Sequence, residues 1–143
     1  MPLKIIQHAS SDYAKMLALR NDILRKPLGM VLSAEDMKDE QNDILIAAFD
    51  DDEMLGCCVL KKSEKGAIKL RQMAVRSQLQ GKGIGSSIIH FAENIIRDNG
   101  YMEIKMDARS NAINFFENKG YTTYGKEFTK LGIPHIEMRK IIL

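Results

Sequence analysis

Gln80-Gly81-Lys82-Gly83-Ile84-Gly85-Ser86-Ser87 is the segment whose residue types and spacing could do chemistry. Glycines let a backbone approach a ligand closely. A helical pattern starts at Gly83, so the first unpaired N–H groups of a helix would face whatever lies there. That combination suits an anion, most naturally a pyrophosphate. Two familiar phosphate loops do not match. The Walker pattern needs four residues between its first glycine and Gly-Lys-Ser/Thr, whereas Lys82 stands between glycines. The spacing Gly81, Gly83, Gly85 misses G-x-G-x-x-G, and half the chain precedes a loop that a dinucleotide fold places after its first strand. In that alternative, Asp107 would have to serve as the ribose acid. A tight turn without a ligand is the plain reading; the position at a helix entry favours binding.

Hydrophobic spacing supplies the elements that must hold this loop. Residues 67–75 read as a strand ending before it, and residues 83–99 as the helix leaving it. Ile84, Ile88, Ala92, Ile95 and Ile96 line one side of that helix, with His90, Glu93, Asn94 and Arg97 opposite. Gly100 suits its C-terminal cap. Residues 102–108 alternate apolar and polar, a strand signature. Strand, helix, strand is a βαβ unit and requires a parallel pair. Upstream, residues 3–8 form a first strand, and Ser10 or Ser11 caps a helix to about Arg25, stopped by Pro27 and Gly29. Arg20 shares the apolar face of that helix, so it either snorkels or points into a cleft. Ser33 and Asp36 have capping-box spacing for a second short helix. Residues 43–49 and 54–61 are strands around an acidic turn, 50–53, and a polar turn spans 61–66. Ser110 or Asn111 is predicted to cap a short helix through Lys119, closed by Gly120. A hairpin of residues 121–128 and 133–141 turns at Leu131-Gly132. The expected fold is mixed α/β, one domain over residues 1–143, mostly antiparallel with one parallel crossover.

The 143 residues suit one domain, and 45% apolar with 28% charged residues excludes a disordered chain. No apolar run is long enough to cross a membrane, and the N-terminal residues lack a secretory pattern. Formal charge is 21 − 19 = +2, without the basic excess of a dedicated nucleic-acid binder. The distribution is uneven. Residues 35–53 hold nine acids and one base, −8, leaving +10 elsewhere. A solvated face is the expectation for the acidic window. Adjacent Cys57 and Cys58 suit neither a disulfide nor a zinc site, so no metal is expected, and buried thiols fit a reducing cytoplasm.

Gln80-x-x-Gly83-x-Gly85 resembles the Q/R-x-x-G-x-G/A motif of the GNAT-superfamily N-acetyltransferases. Residues 71–75, Arg-Gln-Met-Ala-Val, resemble their fourth strand, and Ala112 to Tyr121 resembles their A-I-x-x-Y-E-K-x-G-F segment. Residues 20–29 and 132–135 are similar to a bacterial subgroup of ElaA-like acyltransferases. The resemblance implies a GNAT-like fold with a splayed cofactor cleft, acetyl-CoA as acyl donor, and a small-molecule or peptide amine as acceptor. No nucleic acid or membrane partner is implied, and a homodimer stays open. Backbone N–H groups from Gln80 through Gly81, Lys82, Gly83, Ile84 and Gly85 to Ser86 would cradle the pyrophosphate. Met73 and Val75 would pair with the pantetheine arm and Ala74 would adjoin the cofactor, with an oxyanion donor near Met73 or Ala74. Arg109 and Phe116 would adjoin the cofactor.

The segment departs from the family at Phe116, where a tyrosine often protonates the leaving thiolate; a phenyl ring has no proton to give. Three readings follow. The thiolate leaves unaided, another group (Tyr121, Tyr124 or His135) replaces the acid, or the protein binds acyl-CoA as a sensor without turnover. His135 is favoured because it borders the cleft in this fold and imidazole titrates near neutral pH; a structural hydrogen bond is its bland role. Arg20, Arg25 and Arg71 would line an acceptor pocket for an acidic substrate, with independent surface roles as the alternative.

Overall fold

Seven strands form one sheet ordered β1-β2-β3-β4-β5-β7-β6 in the computed structural model, which describes residues 1–63 and 66–142. The strands are β1 (Leu3–Ile6), β2 (Ile44–Asp50), β3 (Glu53–Lys62), β4 (Ala67–Val75), β5 (Glu103–Arg109), β6 (Thr122–Lys130) and β7 (Ile133–Ile141). The helices are α1 (Ser11–Arg20), α2 (Ile84–Asp98) and α3 (Ile113–Glu117). Only β4 and β5 run parallel, joined by α2; every other neighbouring pair is antiparallel. The expected mixed α/β fold with a single crossover is the fold observed. The expected turn at 61–66 includes residues 64 and 65, which lie outside the described residues.

Alternation splits each central strand between two cores. On one face, α2 covers Ile46, Cys58, Leu60, Ile68, Leu70, Ile104 and Met106. On the other, Tyr13, Met16 and Leu19 of α1 cover Leu45, Ala47, Cys57 and Val59. The two cysteines therefore point in opposite directions, and both are free. Burial pushes the Cys57 thiol to about 12 and Cys58 well above its usual value, so both stay protonated. α2 crosses β3 at Gly56, where an added Cβ would sit 2.8 Å from Ile88 Cδ1. Leu131 and Gly132 hold φ of 55° and 73°, the twist that a two-residue β6–β7 turn requires.

Four local expectations are corrected. The first helix is α-helical only to Arg20, and Asn21–Arg25 widens to a π-turn. Ser33 and Asp36 do exchange backbone-to-side-chain bonds, yet the helix after them is a single 3₁₀ turn. Ser110 caps nothing: its hydroxyl donates to the Pro134 carbonyl. Glu93, assigned to the polar side of α2, is buried, because the Tyr121 hydroxyl donates to it at 2.7 Å and Lys140 reaches it at 3.0 Å.

Arg20 neither snorkels nor reaches a cleft. Arg20 and Glu40 are both fully buried and paired bidentately, with two N–O distances of 2.8 Å. The Tyr13 hydroxyl donates to the same carboxylate at 2.6 Å, and the Asp36 carbonyl and Gln72 side chain accept from Arg20. Burial, then the bond to Glu40, raises the Tyr13 phenol to about 12. Removing one member of such a pair strands a charge in the interior, at a cost of about 3–5 kcal/mol. Glu40→Gln should lower unfolding free energy by about that much in urea titration, and Arg20→Met/Glu40→Leu should recover part of the loss. A single variant costing under about 1 kcal/mol would show that the pair is not the anchor described.

Candidate active site

β4 and β5 begin together and then separate. Their parallel pairing comprises Ala67–Glu103, Ile68–Ile104 and Lys69–Lys105. Beyond Lys69, β4 stays with β3 as far as Val75, and β5 stays with β7 as far as Arg109. The cause lies in β4. Cys57 pairs with Ala74 and Val59 with Arg71, so Gln72 and Met73 together oppose Cys58. Gln72 holds φ of 52°, the left-handed conformation of a bulged residue. A bulge adds twist and bend, which carries β4 away from its parallel neighbour.

The open edge of β4 is supplied with backbone groups. Arg76 N donates to Leu55 O, which directs Arg76 and Ala74 toward β3. Alternate residues, Val75 and Met73, then turn their backbone groups to the edge that β5 has left. Ala74 thus belongs to the β3 pairing, a correction to its expected place on the cofactor side. The Gln80 amide bonds the Val75 carbonyl at 3.1 Å and ties the loop to that edge.

The glycine loop follows directly. Ser77–Leu79 makes one 3₁₀ turn, and Gly81 and Gly83 take φ of 82° and 86° with open space where a Cβ would point. Gly83 caps α2 by its backbone, so the N–H groups of Ile84, Gly85 and Ser86 have no partner within the helix. Gly85 serves closeness of packing: a Cβ there would lie 3.0 Å from Met73 Cε and 3.3 Å from Phe115 Cζ. Loop, open edge and α3 therefore meet at one place. Phe115, which the motif reading passed over, lines it beneath the Lys119 ammonium, 4.4 Å from the ring centroid. Phe116 instead enters the core, edge-on to Phe115 and Tyr121.

A family model described as an acetyltransferase (GNAT) domain matches residues 24–142. The chain belongs to this family. Bacillus subtilis (strain 168) YjcF, described as an uncharacterized N-acetyltransferase, is 26% identical over 107 residues, 74% of each chain. Two other B. subtilis proteins are 32% and 30% identical over 72 and 74 residues, so the match spans about half the length of those relatives. In fold, Escherichia coli ElaA superposes with a TM-score of 0.85 at 16% identity, covering 97% of this chain and 98% of that one. An aminoglycoside 6′-N-acetyltransferase solved with coenzyme A gives 0.78 at 18% identity, covering 100% and 98%.

Within this GNAT fold the remaining expected site residues do not gather at the glycine loop. Val59, in the α1-side core, pairs with Arg71, which places Arg71 on the α1 face of the sheet. Asp107 bonds Lys69, and alternation puts Arg109 on that face too. His135 pairs with Arg109 and Phe128, stacking on the Phe128 ring with centroids 5.8 Å apart. It is 4% exposed, and its Nδ1 lies 2.8 Å from the Ile133 carbonyl. A carbonyl only accepts, so Nδ1 carries the hydrogen and Nε2 holds the lone pair. Tyr124 is 56% exposed on β6 beneath the Arg139 guanidinium.

Four assignments change on physical grounds. Arg20 belongs to the buried Glu40 pair. Arg25 is also committed, bonding both oxygens of Asp36 at 2.8 and 3.1 Å and holding that carboxyl near 2. Arg109 donates to the Leu24 carbonyl at 3.1 Å, on the face away from the loop. Tyr121 is 2% exposed; burial first, and then the Glu93 bond, raises its pKa far above a free phenol. Its proton serves Glu93 and not a leaving group.

Gly83→Val should weaken coenzyme A binding at least tenfold by calorimetry, because it forces a β-branched residue into a left-handed cap and obstructs the N–H groups. Unchanged affinity would move the anion elsewhere. Tyr121→Phe should cost about 1–3 kcal/mol through the lost hydrogen bond to the Glu93 carboxylate, which Lys140 still holds, and leave the pH dependence of turnover as in the parent. A shifted profile would return Tyr121 to the chemistry.

Proposed function

We propose that the protein moves an acetyl group from acetyl-CoA to a primary amine of a small molecule or peptide by direct attack on the thioester. The observation that carries this reading is the coincidence of three features: the parting of β4 from β5, the Met73–Val75 edge, and the Gly81–Gly85 entry to α2. The chain's own geometry fits the donor. Two left-handed glycines with open space beside them and unpaired helix-start N–H groups suit a pyrophosphate, and an unpartnered strand edge suits an extended amide-bearing arm. Gln80, Gly81, Lys82, Gly83, Ile84, Gly85 and Ser86 would hold the first, and Met73 and Val75 the second. When bound, acetyl-CoA supplies an activated thioester.

The protein then has two tasks. The Met73 N–H, turned to the open edge, stabilises charge developing on the carbonyl oxygen. His135, through Nε2, is the candidate to take a proton from the amine, directly or through water. The leaving thiolate needs no phenol in this scheme, consistent with Phe116 in the core and Tyr121 bonded to Glu93. Those same two positions favour a second reading, acyl-CoA binding without turnover.

Free-thiol release from acetyl-CoA across an amine panel separates the two. Transfer predicts amine-dependent release, with kcat/KM falling at least tenfold in His135→Ala. Tight acetyl-CoA binding with no release on any amine would leave the sensor reading in place.

A further inference from the structure

The α1 face of the sheet carries a second feature, away from the glycine loop. Lys38, Lys61, Lys62, Lys69, Arg71 and Lys130 line an open groove of about 450 Å³. They come from the segment before β2, from β3, from β4 and from the end of β6, so the fold and not a local charge run assembles them. Glu35 and Asp39 also line the groove. Two more carboxylates adjoin it: Asp43, 3.8 Å from Lys61, and Asp107. Six cations against four acids leave an excess of two among the described residues. Lys69 and Lys130 share a single oxygen of Asp107, at 3.0 and 3.3 Å, so two cations divide one partner.

Arg71 is the decisive group. It is half-buried on β4, beside the bulge at Gln72 and two residues before Met73, where the strands part. Among the described residues it has no ion-pair partner. The other arginines tested for a substrate role are saturated: Arg20 by Glu40, Arg25 by Asp36. A guanidinium with no carboxylate within ion-pair distance among the described residues, Asp43 feeling its charge only from farther off, offers paired N–H donors in one plane, the arrangement that recognises carboxylate or phosphate. The groove's size falls in the range of small-molecule sites.

We infer that this groove binds the acidic group of the acceptor, which is a compact amine carrying a carboxylate or phosphate. The inference rests on the acyl-transfer reading for the word acceptor; anion binding itself does not. Excess cations draw the ligand to the face, Arg71 fixes its acid group beside the parting strands, and the amine is left to approach the thioester. Recognition of this kind weakens with salt, because the lysines are partly exposed.

Two measurements test it separately. In the first, inorganic phosphate or succinate is titrated into the full chain and the Arg71 Nε–H resonance is followed. Saturable movement is expected, with the binding read by calorimetry lost in Arg71→Gln and weakened at least threefold in Lys130→Gln, a variant at the exposed end of β6 that leaves the core intact. An unmoved Arg71 resonance, or unaltered binding in Lys130→Gln, overturns the site. In the second, thiol release is compared for amino acids and their neutral amides of equal length. Acids should exceed amides at least tenfold in kcat/KM at low salt, and the preference should fall below threefold in Arg71→Gln. Equal turnover of acids and amides overturns the acidic-acceptor inference and leaves acyl transfer standing. Anion binding at Arg71 with no thiol release from any amine overturns acyl transfer and leaves the anion site standing.

Discussion

Gln72 occupies a backbone conformation that costs a side-chain-bearing residue about 1–2 kcal/mol, and the architecture of the site depends on it. Ile68 and Leu70 face α2. Without an extra residue, strict alternation would next turn Gln72 and Ala74 to that face and Met73 to the other. The bulge inserts one residue, so Met73 and Val75 face α2 and the glycine loop while Ala74 joins the α1-side core. The same residue bends β4 from β5 and opens the edge. What holds it is the Arg20 guanidinium, 3.4 Å from the Gln72 side-chain oxygen and itself fixed by Glu40. A buried ion pair contributes little net stability compared with apolar packing; here it specifies one strand register.

Period and punctuation were legible to the extent that one segment determined them. β4 and β7 have the expected limits, Gly83 and Gly100 bound α2, and the parallel crossover follows from strand, helix, strand. The place of β7 between β5 and β6 was not legible, because a terminal hairpin can dock by either strand and the choice depends on contacts across the chain. The departure of β4 from β5 was legible only by resemblance, since the bulge residue is an ordinary glutamine in sequence. Side chains whose partners lie far away were the least legible. Glu93 falls on the polar side of a helical wheel, but Tyr121 and Lys140, 28 and 47 residues on, draw it inside.

The acidic window shows the same limit for charge. Asp50 to Glu53 is the solvated hairpin expected, but Glu40, Asp36 and Asp43 are turned inward, onto Arg20, Arg25 and Lys61. Net charge by segment counted these acids as surface. Once they are paired, the unmatched cations of the remaining chain become visible by place, and Arg71 is conspicuous among them. A guanidinium on the apolar stripe of α1 proved structural, whereas one on a strand with no unusual neighbours in sequence lines the groove without an ion pair among the described residues.

The two faces of the parted strands thus have different chemistry for a physical reason. On the α2 side, the proposed anion site uses backbone N–H groups, which need glycine and a helix start but no formal charge, so the apolar core beneath α2 stays unbroken. On the α1 side, the helix packs on β3 and β4, and Lys69 and Lys130 meet Asp107 beside an open groove. Formal charge sits there in pairs, as Lys69 and Lys130 on Asp107 show. A donor with a long pantetheine arm and an acceptor with an acidic group would then meet across the split from opposite faces, each recognised by the kind of group its face can afford. With this division, a chain with a net charge of only +2 would hold both proposed anionic ligands: neither site relies on the total, one using dipoles and the other an arginine outside the ion pairs around it.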